Sequence, residues 1–196
     1  YSSAASDVYK RQAVSVLLAA TATKASLYIL ARILFSIFEN SENLINNTLL
    51  YVILPLSIIA MFAGTIMAIY EKDIKRLLAH SSVAQIGYIT LAFAIGTKAS
   101  VAAGFIHMFN HAIIKGGLFI AITSLGFFIQ KRVTINNLSG LGRAMPITFF
   151  CFVLCSLSLA GLPLTAGFIS KLYLIKATIS SDAIWIAILI LISSAL

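Results

Sequence analysis

The sequence predicts an all-α, polytopic transmembrane helix bundle. Three observations carry that expectation. Hydrophobic residues make up 60% of the 196-residue chain and charged residues only 10%, with a mean hydropathy of +1.01. A soluble domain is typically about 45–50% apolar and about 25% charged, so this chain lacks the polar surface to face water. Apolar runs of bilayer-spanning length recur along it, and period-two alternation, the mark of an outer-membrane barrel, is absent. A soluble enzyme, a nucleic-acid-binding domain and a disordered tail fit poorly. The net charge of +8 sits in short loops and inside apolar runs, a pattern of membrane orientation and not of nucleic-acid binding.

The elements follow in order. Residues 1–12 have no initiator Met and no signal-peptide order of basic start and apolar core. They resemble a translated sequencing-adapter scar and are set aside, leaving 13–196 as a partial transmembrane domain. The first run is Ala13 to Phe38, interrupted by Lys24 and Arg32, and the second is Leu49 to Tyr70. The third, Leu77 to Gly96, has only His80 near its start. Val101 to Ile129 is the fourth and contains His107, His111 and Lys115. Ala144 to Ala177 is the fifth. At about 34 residues it would reach about 50 Å as one straight helix. Its centre, Ala160-Gly161-Leu162-Pro163-Leu164-Thr165-Ala166-Gly167, is unsuited to an unbroken helix, because Pro removes a hydrogen bond and Gly loosens the backbone. Two half-helices with an unwound link are expected there; two segments joined outside the bilayer are the alternative. Broken helices at membrane depth typically line cavities or ion sites. The sixth run, from Ala183, is short of the roughly 20 residues a crossing needs, so the chain is expected to stop inside a helix. No internal repeat is visible.

Loop charge gives the orientation. Lys72, Lys75 and Arg76 lie in one loop, and Lys131, Arg132 and Arg143 in another. The loops expected opposite hold only Lys98, with Lys176 just before the last. The positive-inside rule puts the first pair in the cytoplasm.

Charges inside the runs are the informative residues. Lys24, Lys115 and Lys171 fall near the middle of apolar runs, where a charged lysine costs about 2.5–3.5 kcal/mol on insertion scales and usually faces a protein interior or a wet cavity. Desolvation favours the neutral amine, so such lysines are candidates to exchange a proton. Lys24 shares helical spacing with Thr21, Tyr28 and Arg32. His107, His111 and Lys115 follow at steps of four and project from one face, with Asn110 beside them, as a proton relay requires. The plain alternative is a set of hydrogen-bonded packing groups. The two histidines have metal-binding spacing, but no carboxylate or thiol joins them on that run. For Lys171, on the second half of the broken helix, the alternative is a lysine reaching the interface. His80 and Lys75 sit near the cytoplasmic boundary. Cys151 and Cys155 read as core residues, with no disulfide framework or metal site, and Trp185 and Tyr70 suit interfacial belts. All six acidic residues, Asp7, Glu39, Glu42, Glu71, Asp73 and Asp182, lie in the scar and the loops. Carboxylate partners for the buried cations are therefore expected elsewhere, in a missing amino-terminal part. No phosphate loop, nucleophile elbow or zinc motif appears, so no catalytic residue, cofactor or metal is expected.

Three stretches together carry a resemblance: Asp73-Ile74-Lys75-Arg76-Leu77-Leu78-Ala79-His80-Ser81-Ser82, His107-Met108-Phe109-Asn110-His111-Ala112-Ile113-Ile114-Lys115, and Leu157-Ser158-Leu159-Ala160-Gly161-Leu162-Pro163 leading to Gly167-Phe168-Ile169-Ser170-Lys171. From about Ala13 onward the chain resembles the antiporter-like subunits shared by respiratory complex I and the multisubunit Na+/H+ antiporters, although that family usually has tyrosine at the His80 position. The resemblance implies about six helices, roughly the eighth to the thirteenth, of a fourteen-helix fold with two broken helices. It implies that Lys24 is the central relay lysine, that His107, His111 and Lys115 form the middle of a hydrophilic axis, and that Lys171 belongs to the second broken helix with Gly161, Pro163 and Gly167. The family's glutamate and first broken-helix lysine lie upstream of this chain.

The stretch from Phe168 to Leu174 looks most like the D-type member of the multisubunit cation/proton antiporters. The expected function is proton translocation in such an antiporter, the alternative being a pumping subunit of NADH-quinone oxidoreductase. The expected setting is the bacterial inner membrane. The expected partners are other membrane subunits of a hetero-oligomeric complex, the bilayer and protons, with Na+ as a candidate second ion. A purely structural membrane-arm subunit, or a transporter holding a small anion beside Lys171, are the rival classes.

Overall fold

The computed structural model describes residues 21–37, 47–130 and 133–196. The segment 1–12, the start of the first run, Glu39, Glu42, Lys131 and Arg132 lie outside the described residues. The regular elements among the described residues are helices. Helix α1, Thr23–Arg32, continues into a π-helical turn, Ile33–Ile37. Helix α2, Leu54–Tyr70, follows a π-helical turn, Leu49–Ile53. Pro55 sits in the first turn of α2, where its missing N–H and its ring disfavour a regular α-turn just before it.

Helix α3, Ile74–Ile95, is capped by Asp73, whose Oδ1 accepts from the backbone of Lys75 at 2.9 Å and Arg76 at 3.4 Å. It ends at Gly96 in the left-handed conformation. Thr97 at once caps α4, Lys98–Ile129, with its hydroxyl accepting from Ser100 N. The expected loop from Thr97 to Ser100 is therefore only a Gly96-Thr97 reversal, because cap chemistry on both sides starts the next helix early. At 32 residues, α4 is about 48 Å long, more than the roughly 30 Å hydrocarbon core. By length and composition, Leu49–Tyr70, Ile74–Ile95 and Lys98–Ile129 can each cross a membrane.

A 3-10 turn, Ile135–Leu138, and a single helical turn α5, Leu141–Ala144, lead to α6, Pro146–Ala160, then α7, Ala166–Ser180, and α8, Ile184–Ala195. Helix α6 closes at Gly161, with φ 91°. Gly161 N donates to Leu157 O and Ser158 O, and Leu162 N to Leu157 O, a Schellman-type stop that Pro163 makes final. Thr165 then caps α7, accepting from Phe168 N at 3.4 Å.

Both halves run along α4. Phe152 and Leu159 of α6 pack on the cluster of Ile114, Leu118 and Ile122. Past the break, Asn110 donates to Ala166 O, Ser170 meets His107, and Leu174 shares a cluster with Ala103. The order of contacts descends α4 without turning back, as one interrupted crossing does. At the break the backbones touch: a Cβ on Gly167 would overlap the Ser158 carbonyl oxygen.

The remaining packing uses the same principle of close small-residue approach. A Cβ on Gly87 of α3 would come within 2.7 Å of Met61 N on α2. Helix α1 lays Leu27 and Ala31 on Ile89 and Phe93 of α3. The two basic loops meet: Ile74 N donates to Val133 O and Ile135 N to Lys72 O. That pairing places them at one end of the bundle, as the charge pattern predicts. The outside is apolar, with Tyr51, Ile147 and Leu164 well exposed, while Gln85, His107, His111, Lys115, Ser170 and Lys171 are buried. This inversion is what a bilayer solvent demands.

Two expectations change here. The buried stripe of α1 is Lys24, Leu27 and Ala31, whereas Thr21, Tyr28 and Arg32 are exposed. The neighbouring helix takes the i+3, i+7 side of Lys24 and not the i+4, i+8 side; Tyr28 keeps only an edge contact with Phe105. Cys151 is exposed and Cys155 half-buried, because α6 turns the Cys151 side away from α4.

Candidate functional site: a buried polar row

Four helix faces converge. On α3, Leu78, Ser81, Gln85 and Tyr88 lie at steps of three and four, and on α4 His107, His111 and Lys115 lie at steps of four, so each set forms one stripe. Helix α7 adds Ser170 and Lys171, and α1 adds Lys24.

Lys115 is wholly buried. Its Nζ donates to Leu78 O and to Ser81 Oγ, the latter at 2.6 Å. One turn away, the His111 ring is 1% exposed, and neither ring nitrogen has a hydrogen-bond partner among the described residues. The charges of Lys24 and Lys115 both act on it electrostatically. His111 stacks on His107 with centroids 6.5 Å apart and planes 12° from parallel. His107 is held at both nitrogens, by Gln85 Oε1 and by Ser170 Oγ, each at 2.8 Å.

Lys171 closes the row. Its Nζ donates to Ala160 O at 3.0 Å and Ser194 Oγ at 2.9 Å. Ala160 is the last residue of α6, so its carbonyl belongs to the set left unpaired at a helix end. The half-helix dipole also puts partial negative charge there. The break therefore creates a cation site in the middle of the protein. The ammonium also stands 5.4 Å from the centre of the Tyr88 ring, and Tyr88 meets the His107 ring edge-on at 5.9 Å.

A cavity of about 450 Å³ runs beside the row, with Ser81, Gln85, Tyr88, Ser156, Lys171 and Ser194 in its wall. The rest of its wall is mostly apolar, Leu77, Phe152 and Leu159 included. A second cavity of about 290 Å³ touches Lys171, Gly161 and Ser194. Lys171 thus stands between two spaces.

Every residue of the expected proton path is placed in this row: Lys24, His107, His111, Lys115 and Lys171. Gly161 and Gly167 shape the break, with Pro163 between them. Sequence reasoning passed over Gln85, Tyr88 and Ser194, and gave Ser81 and Ser170 no role of their own. The legible signal for three of these was the helical spacing of Ser81, Gln85 and Tyr88. Among the described residues no three His, Cys, Asp or Glu side chains gather as a metal site would require, and both His107 nitrogens are already engaged.

Residues 6–196 match the family described as NADH:quinone oxidoreductase/Mrp antiporter, transmembrane. The chain is 36% identical over 192 residues to NADH-quinone oxidoreductase subunit N of Desulforudis audaxviator, covering 97% of this chain and 38% of that protein. Among solved structures, the Mrp complex from Dietzia sp. superposes with a TM-score of 0.79 at 30% identity, over 94% of this chain and 35% of that one. The membrane-bound sulfane sulfur reductase, an archaeal respiratory membrane complex, gives 0.80 at 32%, over 94% and 37%. The chain therefore spans under two fifths of the length of these relatives. Those relatives are subunits of multisubunit membrane assemblies.

Proposed function

The chain belongs to the NADH:quinone oxidoreductase/Mrp antiporter transmembrane family, and from that premise we propose that it carries protons across the membrane as part of one subunit of a multisubunit Na+/H+ antiporter. The observation that supports this most is the row itself. Lys115, His111, His107, Lys171 and Lys24 are all buried and all ionisable, His111 stacks on His107, and a cavity with Gln85, Tyr88 and Lys171 in its wall lies beside the row. Groups that can be charged inside a membrane protein are expensive and belong to pathways by default. A proton leaving one lysine makes the next easier to charge, so like charges in a row favour hopping over simultaneous occupancy.

A second reading has its own support: the similarity to subunit N of NADH-quinone oxidoreductase covers 97% of the chain. There the same row would be driven by quinone chemistry in a partner subunit. We place the subunit in the bacterial cytoplasmic membrane, with the Lys72–Arg76 loop inside, among other membrane subunits of its complex.

The test uses the full-length protein in its complex. Lys24→Ala is expected to abolish proton translocation while assembly stays intact; retained pumping removes Lys24 from the path. Flux that requires Na+ supports the antiporter, and flux that requires quinone reduction supports the second reading. Wild-type vesicles with neither flux would leave a packing role, and saturable uptake of an organic anion would favour the substrate-transporter class.

A further inference from the structure

The two buried histidines of α4 are paired in opposite ways. His111 lacks a partner at both ring nitrogens among the described residues. His107 has one at each, Gln85 from α3 and Ser170 from α7, and all three side chains are buried. The Gln85 oxygen can only accept, so Nε2 of His107 carries the hydrogen and Nδ1 of the neutral ring accepts from the Ser170 hydroxyl. Ser170 Oγ has a second partner, the Gly167 carbonyl, at 3.0 Å. A hydroxyl has one hydrogen, so it serves either His107 or Gly167 at a time.

We propose that Gln85 and Ser170 are positioning residues that keep His107 fully hydrogen-bonded in both its neutral and its charged form, the Ser170 hydroxyl turning from Nδ1 to the Gly167 carbonyl as the ring takes up a proton. In the uptake step one N–H bond of a neighbouring ammonium, that of Lys171, breaks and leaves a neutral amine, and one N–H bond forms on the lone pair of Nδ1. That new N–H donates to Ser170 Oγ, the hydroxyl rotates so that its O–H, unbroken, donates to Gly167 O, and Nε2–H keeps donating to Gln85 Oε1. When the proton passes to the next acceptor, the same N–H bond breaks and the hydroxyl turns back. No heavy atom moves and no buried donor is stranded in either state, which in a dry site is the main obstacle to charging a ring. Because Gly167 lies in the first turn of α7, the charge on His107 is registered at the helix break. Tyr88, His111 and the Lys171 ammonium are the other titratable groups around the ring. The inference rests on the proton-relay reading above.

The experiment is nitrogen-15 spectroscopy of histidine-labelled full-length subunit in its complex, with His107→Phe to assign the signal. Neutral His107 is expected as one tautomer, hydrogen on Nε2; a wild-type signal with hydrogen on Nδ1 overturns the proposal without any further variant. Gln85→Met is expected to mix the tautomers, and Ser170→Ala to cut proton flux about ten-fold, the effect of stranding one buried donor. Ser170→Thr, which keeps the hydroxyl, is expected to restore the flux. Wild-type flux in Ser170→Ala with an unchanged His107 signal in Gln85→Met also overturns it. Lys171→Ala separates the two levels: flux lost there but kept in Ser170→Ala sinks only the positioning role, whereas flux kept in Lys171→Ala sinks the relay itself.

Discussion

The ammonium of Lys115 and the imidazole of His111 lie one helical turn apart in the same buried stripe, yet their surroundings assign them different costs. Lys115 is held by a carbonyl and a hydroxyl from α3, so removing the hydroxyl partner strands part of a buried charge. Ser81→Ala is expected to destabilise the protein by about 1–3 kcal/mol, read as a lower thermal midpoint of the purified complex. His111 has no hydrogen bond to lose among the described residues. His111→Leu is therefore expected to leave the thermal midpoint unchanged while proton flux falls about 100-fold or more, the usual worth of a proton-transfer group. Equal losses of stability and flux would mean that His111 is a packing group. Tyr88 gives a third contrast. Its ring, not its hydroxyl, faces Lys171, so Tyr88→Phe is expected to transport normally and Tyr88→Leu to lose about 0.5–2 kcal/mol of cation stabilisation, seen as slower flux.

At the level of elements, helix ends decide the chemistry. The interval between α6 and α7 turns one crossing into two half-helices, frees the Ala160 carbonyl, and gives Lys171 a polar anchor inside the membrane. Gly167→Ala is expected to push α6 and α7 apart, since the added carbon would overlap a backbone oxygen and not a movable side-chain tip. Loss of flux together with a lower thermal midpoint is the expected result. Asp73 is the opposite case. It is an acidic residue in the family-like motif, but its carboxylate caps α3, so Asp73→Ala is expected to cost about 1 kcal/mol of stability and to leave flux near wild type.

These elements also show what a sequence can say. The runs, the break at Gly161-Leu162-Pro163 and the stripe of His107, His111 and Lys115 were legible, because hydropathy, Pro and Gly chemistry and helical spacing are local. Which side of Lys24 is buried was not legible: spacing offers Tyr28 and Leu27 equally, and only the position of α3 chooses Leu27. Gln85 and Ser170 were hidden for a related reason. Each is a common helix residue whose meaning comes from a histidine on another helix, 22 and 63 residues away in the chain. Cys151 failed similarly, since an apolar residue in a membrane helix can face lipid as readily as protein.

For the whole molecule, the inside-out distribution is the unifying fact: apolar side chains outside, and a polar row from Lys24 to Lys171 within. One end of the bundle carries Lys72, Lys75 and Arg76 beside the Val133–Leu138 turn. Within the row, Lys115 and Lys171 are held by neutral partners, carbonyls and hydroxyls. The most direct measurement is proton flux in vesicles bearing the full-length complex with Lys115→Met, which removes the most buried ionisable group of the row and keeps the side-chain length. Flux at the background level with an assembled complex is the predicted result. Flux at the wild-type rate in that assembled variant would contradict the account.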